Sequence, residues 1–265
     1  MTSIAEAARR VLLTSDPRAK IFAARAVARH WRQGRLAWTF DAAMPDEPAR
    51  PERPERLPPN RMPKRGKAGS SRSRIAMLHA LAHIECGAID LAFDMIGRFG
   101  QGAPRNFVDD WIKVGADEAL HFALLMRRLR SLGSGYGELP AHDGLWEAAE
   151  ATADDRLARL AIVPMILEAR GLDVTPLTVS RFESAGDITS ARILDRIYHD
   201  EISHVATGVR WFEHFCRDQR FDPVPQWRSL VQRHFKGSLK PPFNDSARNA
   251  AGLTTDFYIA LAANG

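Results

Sequence analysis

EALH at Glu118–His121 and EISH at Glu201–His204 each place a glutamate three residues before a histidine, inside a stretch of helical periodicity. On a helix, positions i and i+3 lie about one turn apart on one face, so both side chains of a pair can reach one metal ion. Two divalent ions need more negative charge than two such pairs supply. In carboxylate-bridged di-iron and di-manganese sites the extra charge comes as one further glutamate from each of two other helices. Glu85 and Glu168 occupy that place: Glu85 precedes Glu118 by 33 residues, and Glu168 precedes Glu201 by the same 33. From Glu85 to the turn near Gly102 is 17 residues, and from Gly102 to Glu118 is 16. At about 1.5 Å per residue the chain climbs roughly 25 Å and returns by nearly as much, which leaves Glu85 level with Glu118 if the helices are antiparallel. The second half is less tidy, because Gly171 and Pro176 are expected to break the helix soon after Glu168.

A single E-x-x-H also occurs on solvated helix faces. Two of them, each with a glutamate at one upstream distance, are much harder to obtain by coincidence. Leu78, Leu81, Ala82, Ala88, Ile89 and Ala92 surround Glu85 at helical spacing, and Ala161–Leu167 carries no charge before Glu168. A carboxylate in such surroundings needs a cation or a partner. The residues therefore predict a dinuclear site rather than a purely structural polar cluster. Glu85 and His121 would ligate one ion, Glu168 and His204 the other, and Glu118 and Glu201 would bridge.

Apolar spacing of three and four predicts helices over Ser3–Thr14, Pro17–Gln33, Ile75–Phe99, Arg105–Leu132 and Leu145–Arg170. A short piece at Pro176–Ser184 and a long helix from Asp187 to about Arg217 follow, then two or three short helices in the tail. Pro164 is expected to bend or loosen the third long helix next to Glu168. The expected fold is all-α: a ferritin-like four-helix bundle (75–218) with an N-terminal helical segment (1–44), a Pro/Arg-rich arm or linker (45–74) and a C-terminal extension (219–265).

The 265 residues are 45% hydrophobic and 26% charged, which suits a globular chain with a sizeable core. The net charge is +5, and the arm from Arg50 to Arg74 holds much of the basic excess, including Lys64, Arg65 and Lys67. With no aromatic residue for base stacking, that arm reads as a solvated surface loop before it reads as a nucleic-acid contact. Cys86 and Cys216 have no CxxC spacing, so neither a disulfide framework nor a zinc knuckle is expected. No secretory signal and no apolar run of membrane-spanning length is read, and a cytoplasmic location is expected.

His79, His83, Cys86 and Asp90 form a different stripe from Glu85 and are read as hydrogen-bonded structure. Tyr198 and Asp200, close to Glu201, are candidates for the shell behind the ligands, where Asp200 could orient a ligand histidine. Tyr198 and Trp111 could also relay electrons, although packing is the simpler role for both. HALAHIECGAIDLAFD (79–94), DEALHF (117–122), VPMILEARGLDVTP (163–176), HDEISHVATGVRWF (199–212) and the tail LKPPFNDSARNAAGL (239–253) resemble the matching blocks of an uncharacterised bacterial ferritin-like family. That resemblance implies fold and ligands, and adds almost nothing on substrate. More distantly, the ligand pattern is similar to that of the tRNA-modifying di-iron hydroxylase, which implies RNA as one class of substrate.

Four carboxylates and two imidazoles suit two iron ions, or manganese, or a mixed Mn/Fe pair, rather than structural zinc. A non-haem oxidoreductase using O2 is therefore the leading expectation. Its partners would be a small-molecule or RNA substrate, an electron donor if it is an oxygenase, and a second copy in a homodimer; no membrane partner is expected. The alternatives are a ferroxidase, or a non-catalytic scaffold or RNA-binding protein stapled by metal.

Overall fold

Small polar side chains open most of the helices. In the computed structural model, which describes residues 1–63 and 68–262, the Ser3 hydroxyl accepts from the Glu6 N–H at 3.0 Å and starts α1 (Ile4–Leu12). Asp16 accepts from the Ala19 N–H at 2.7 Å, and Pro17 takes the first position of α2 (Pro17–Arg32). Ser70 and Ser73 form a reciprocal capping box that opens α3 (Ser71–Phe99) one turn before the expected Ile75. After the turn at Gly100–Pro104 comes α4 (Arg105–Ser131), then α5 (Gly144–Glu150) and α6 (Arg156–Ile162). A π-helical turn, Val163–Glu168, leads into α7 (Ala169–Ser184), followed by α8 (Ile188–Asp218), α9 (Pro223–His234), α10 (Asp245–Ala250) and α11 (Thr255–Ala262). No strand occurs among the described residues, only isolated bridges at Ser3–Ala37 and Arg56–Ala141. The chain is all-α and divides into two compact units, Met1–Trp146 and Glu147–Gly265. The division falls inside the 75–218 segment.

In the first unit α3 packs along α4, with α1 against α3 and α2 against α4. Gly115 approaches Phe93 so closely that an added Cβ would lie 2.7 Å from the ring. Further from the connecting turn, His121 meets Glu85 at 3.2 Å. That order of meetings is an antiparallel hairpin, as the residue count requires. The proline-rich arm wraps the unit rather than trailing from it. The Ala49 N–H donates to the Leu12 carbonyl at 2.8 Å, the Leu57 N–H donates to the Ala141 carbonyl and the Ala141 N–H to the Glu55 carbonyl, both at 2.9 Å, and the Trp146 indole donates to the Asp46 carbonyl at 3.1 Å. Arg50 corrects the picture of a solvated basic loop. It is largely buried and paired with Asp90 at 3.1 Å and Asp143 at 2.9 Å, while Arg56 also reaches Asp143. Lys64, Arg65 and Lys67 lie outside the described residues.

The expectation that no segment has membrane-spanning character needs a second correction. By length and composition α3 is apolar enough to cross a membrane. Its acidic residues are few and sit on buried faces. Asp90 meets Lys20 and Arg50, Asp94 meets Arg98 at 3.0 Å, and Glu85 meets His121. Within its unit, α3 is a core helix.

In the second unit the expected third helix breaks in a different place. The helix stops at Glu150, turns, and restarts when Asp155 accepts from the Ala158 N–H at 2.9 Å. Arg159, 1% exposed, fills the gap by donating to the Ala149 carbonyl and the Thr152 hydroxyl. Gly171 and Pro176, expected as breakers, are interior residues of α7. Pro176 has no N–H to give to the Leu172 carbonyl four residues earlier, and the Asn244 amide donates to that carbonyl instead, at 3.1 Å.

Candidate metal centre

The Glu118–His121 pair lies on the face of α4 that packs against α3. His121 is fully buried, with Glu118 1% and Glu85 5% exposed. The His121 Nδ1 sits 3.2 Å from a Glu85 oxygen and 3.5 Å from a Glu118 oxygen, so one ring nitrogen faces two carboxylates. Burial works against a charge on this ring, but the Glu118 and Glu85 carboxylates outweigh it and raise its pKa to about 11. The three side chains form a buried group whose two carboxylates favour a cation beside them.

The second unit builds its counterpart on α8 and the π-turn. His204 is fully buried, and its Nδ1 lies 3.4 Å from a Glu201 oxygen on the turn before. Gly208 is one turn further along α8, and its missing side chain admits the Pro164 ring. That close approach sets the level of the two segments. Glu168 lies one turn beyond Pro164, towards the connection at Gly186, and His204 lies one turn from Gly208 in the same sense. Glu168 ends the π-turn with one carboxylate oxygen buried. The Pro164 irregularity expected next to the site is therefore a π-turn whose last residue is the candidate ligand.

Imidazole nitrogen and carboxylate oxygen are the donors that iron and manganese accept, and both histidines direct Nδ1 at the glutamate one turn before them. The donor chemistry and the burial fit a hard divalent ion. Within the first unit, Glu85, Glu118 and His121 are a buried acidic and histidine group able to hold such an ion.

Asp200 is engaged by Arg196 at 2.7 Å on an exposed stretch of α8. The Tyr198 hydroxyl accepts from the Asn244 amide at 3.0 Å. Trp111 is buried edge-on to Phe107, with no hydrogen bond to its indole N–H among the described residues. The stripe of His79, His83, Cys86 and Asp90 is hydrogen-bonded, as its spacing suggested. His79 accepts from the Gly137 N–H at 3.0 Å, His83 shares a 2.9 Å bond with the Tyr136 hydroxyl, and Cys86 bonds to the same hydroxyl. Burial pushes the Cys86 thiol up to about 12, which keeps it inert.

Sequence reasoning missed Asn244. One residue caps α10 through its side-chain oxygen, ties Tyr198 to the Leu172 carbonyl through its amide, and gives its backbone N–H to Asp173 at 3.0 Å. Arg248 adds a bidentate pair to Asp173 at 2.8 and 2.7 Å. The tail is thereby fastened to α7 and α8 close to Glu168 and Glu201. A signal existed in the N-D-S capping sequence at Asn244, but its partners are 46 to 72 residues away.

Residues 13–259 match the family described as "Protein of unknown function (DUF455)". This chain belongs to that family. It is also 40% identical over 210 residues to a protein of Haemophilus influenzae described as "Uncharacterized protein", covering 77% of this chain and 73% of the relative. No solved structure matches the chain. For this DUF455 member the function has to be argued from the site.

Proposed function

We propose that the two half-sites form one dinuclear iron or manganese centre in a ferritin-like four-helix arrangement, and that the chain is an oxidoreductase that uses O2. One observation carries the reading: the buried E-x-x-H pair with a glutamate from the neighbouring helix, seen at Glu85, Glu118 and His121, has a counterpart in Glu168, Glu201 and His204.

In this reading Glu85 and His121 would hold one ion, Glu168 and His204 the other, and Glu118 and Glu201 would be shared by both. Such a pair of ions, when bound, supplies a place for O2 and electrons to reduce it. The four carboxylates offset the ions' charge, and six protein ligands shared by two ions leave coordination positions open. Ala82, Ile89 and Ala119, all buried beside the ligands, exclude water from that space. Glu118 and Glu201 are carboxylates that would be able to accept or return protons at such a centre.

The test is O2 uptake after anaerobic loading with Fe(II), compared with His121→Ala and His204→Ala. The proposal expects consumption well above that of Fe(II) in buffer, and its loss in both variants. Uptake no faster than buffer, from protein that has retained its iron, would overturn the oxidoreductase reading.

A further inference from the structure

A cavity of about 460 Å3 opens in the first unit beside the first turns of α3, within the size range of small-molecule sites. Arg72, Ile75, Ala76 and His79 bring one side of α3 to it, and Leu139 and Pro140 also line it. At about 100° per residue that side is turned roughly 130° away from Glu85. The cavity shares no residue with the proposed metal centre, so metal loading and binding here would fail separately.

Two polar side chains among the lining residues are open to a ligand, His79 and Arg72. His79 is 1% exposed, and its Nε2 accepts from the Gly137 N–H at 3.0 Å, which makes Nδ1 the protonated nitrogen of the neutral ring. Among the described residues the ring's one hydrogen bond is the one at Nε2, which leaves the Nδ1–H available to a ligand. Tyr136 stacks on the ring with centroids 5.5 Å apart and holds its plane. Burial lowers the His79 pKa to about 4 against the pull of Glu138, so at neutral pH the ring is a donor without charge. Arg72, exposed at the mouth, forms no ion pair among the described residues. It lies two turns from His79, about 10 Å along the helix.

The remaining lining narrows the ligand chemistry. The Ser70 and Ser73 hydroxyls are committed to the α3 cap, and among the described residues no acidic side chain lines the cavity. Both free polar groups are donors, one of them cationic, and apolar side chains lie between them. The matching occupant has an apolar body about two helical turns long, a negative charge at one end and an oxygen acceptor at the other.

We propose that this cavity is a binding site for a small aliphatic or aryl carboxylate, with its carboxylate on Arg72 and a second oxygen on the His79 Nδ1–H. The probe is monomethyl decanedioate, which carries a carboxylate and an ester carbonyl at the required separation. Decanoate lacks the second acceptor, and dimethyl decanedioate lacks the charge. Titration calorimetry on the full chain should give saturable one-site binding of the monoester, weaker for either control. Arg72→Ala, at an exposed position that leaves the fold intact, should weaken the monoester about tenfold and leave the diester unchanged. Ala76→Trp should fill the cavity and abolish binding of all three, with an unchanged far-UV spectrum and metal content. Absence of saturable binding at millimolar monoester, or binding that either variant leaves unaltered, overturns the proposal.

Discussion

His121 and His79 show how differently one side chain behaves in two buried places. At His121 the Glu118 and Glu85 carboxylates overcome the cost of burial, and the pKa rises to about 11. At His79 only Glu138 opposes burial, with Tyr136 stacked on the ring, and the pKa falls to about 4. The native His79 ring is neutral where the unfolded chain's histidine, with a usual value near 6.5, takes up a proton. Between those values the unfolded state binds more protons, so the stability His79 contributes is complete above pH 6.5 and is lost as pH falls towards 4. From pH 7 to pH 5 the loss comes to roughly 2 kcal/mol. His79→Gln keeps an acceptor for Gly137 but cannot titrate. Denaturant midpoints should therefore fall less between pH 7 and 5 in the variant, and an equal fall in both proteins would contradict the assignment.

At the scale of the element, much of the helix pattern was legible because its signals are local. Asp16-Pro17 and Asp187 start α2 and α8 by their own side chains, and the Gly100–Pro104 breaker separates α3 from α4. Glu85 could be matched to Glu118 for the same reason, since a short turn between two uninterrupted helices turns residue count into height. The third helix was misread because its determinants are remote. Pro176 is tolerated in α7 because Asn244 takes over the Leu172 carbonyl, and no local pattern records that. The break after Glu150 is stabilised by Arg159, which otherwise reads as an ordinary helix residue. Two substitutions probe this unit. Gly208→Ala pushes a methyl into the Pro164 ring and should cost about 1–3 kcal/mol by denaturant unfolding; a cost below a few tenths would mean that the π-turn yields freely. Arg248→Met removes the bidentate partner of Asp173, whose side chain is fully buried, leaves it Arg170 and the Asn244 N–H, and should cost about 1–3 kcal/mol. A near-neutral result there would show that the tail does not depend on this pair.

At the scale of the whole molecule, the sequence motif repeats and the fold has two units, each carrying one E-x-x-H pair and one further glutamate. The proposed centre takes three ligands from each unit, so bound metal should stabilise the folded chain as any ligand of the native state does, by about 2.7 kcal/mol at a hundred times its Kd. Chelation should lower the melting temperature and added Fe(II) or Mn(II) should restore it, whereas a chain lacking Glu118 and Glu201 should respond to neither. The basic arm contributes less to the surface than its composition suggested, because Arg50 and Arg56 are drawn onto Asp90 and Asp143. A nucleic-acid partner therefore gains no support from these two arginines. The most direct measurement is elemental analysis of the purified chain beside the Glu118→Ala/Glu201→Ala double variant. The account predicts about two iron or manganese ions per chain, lost in the variant. A wild-type chain without metal even after anaerobic Fe(II) loading, or metal that the variant retains, would contradict it.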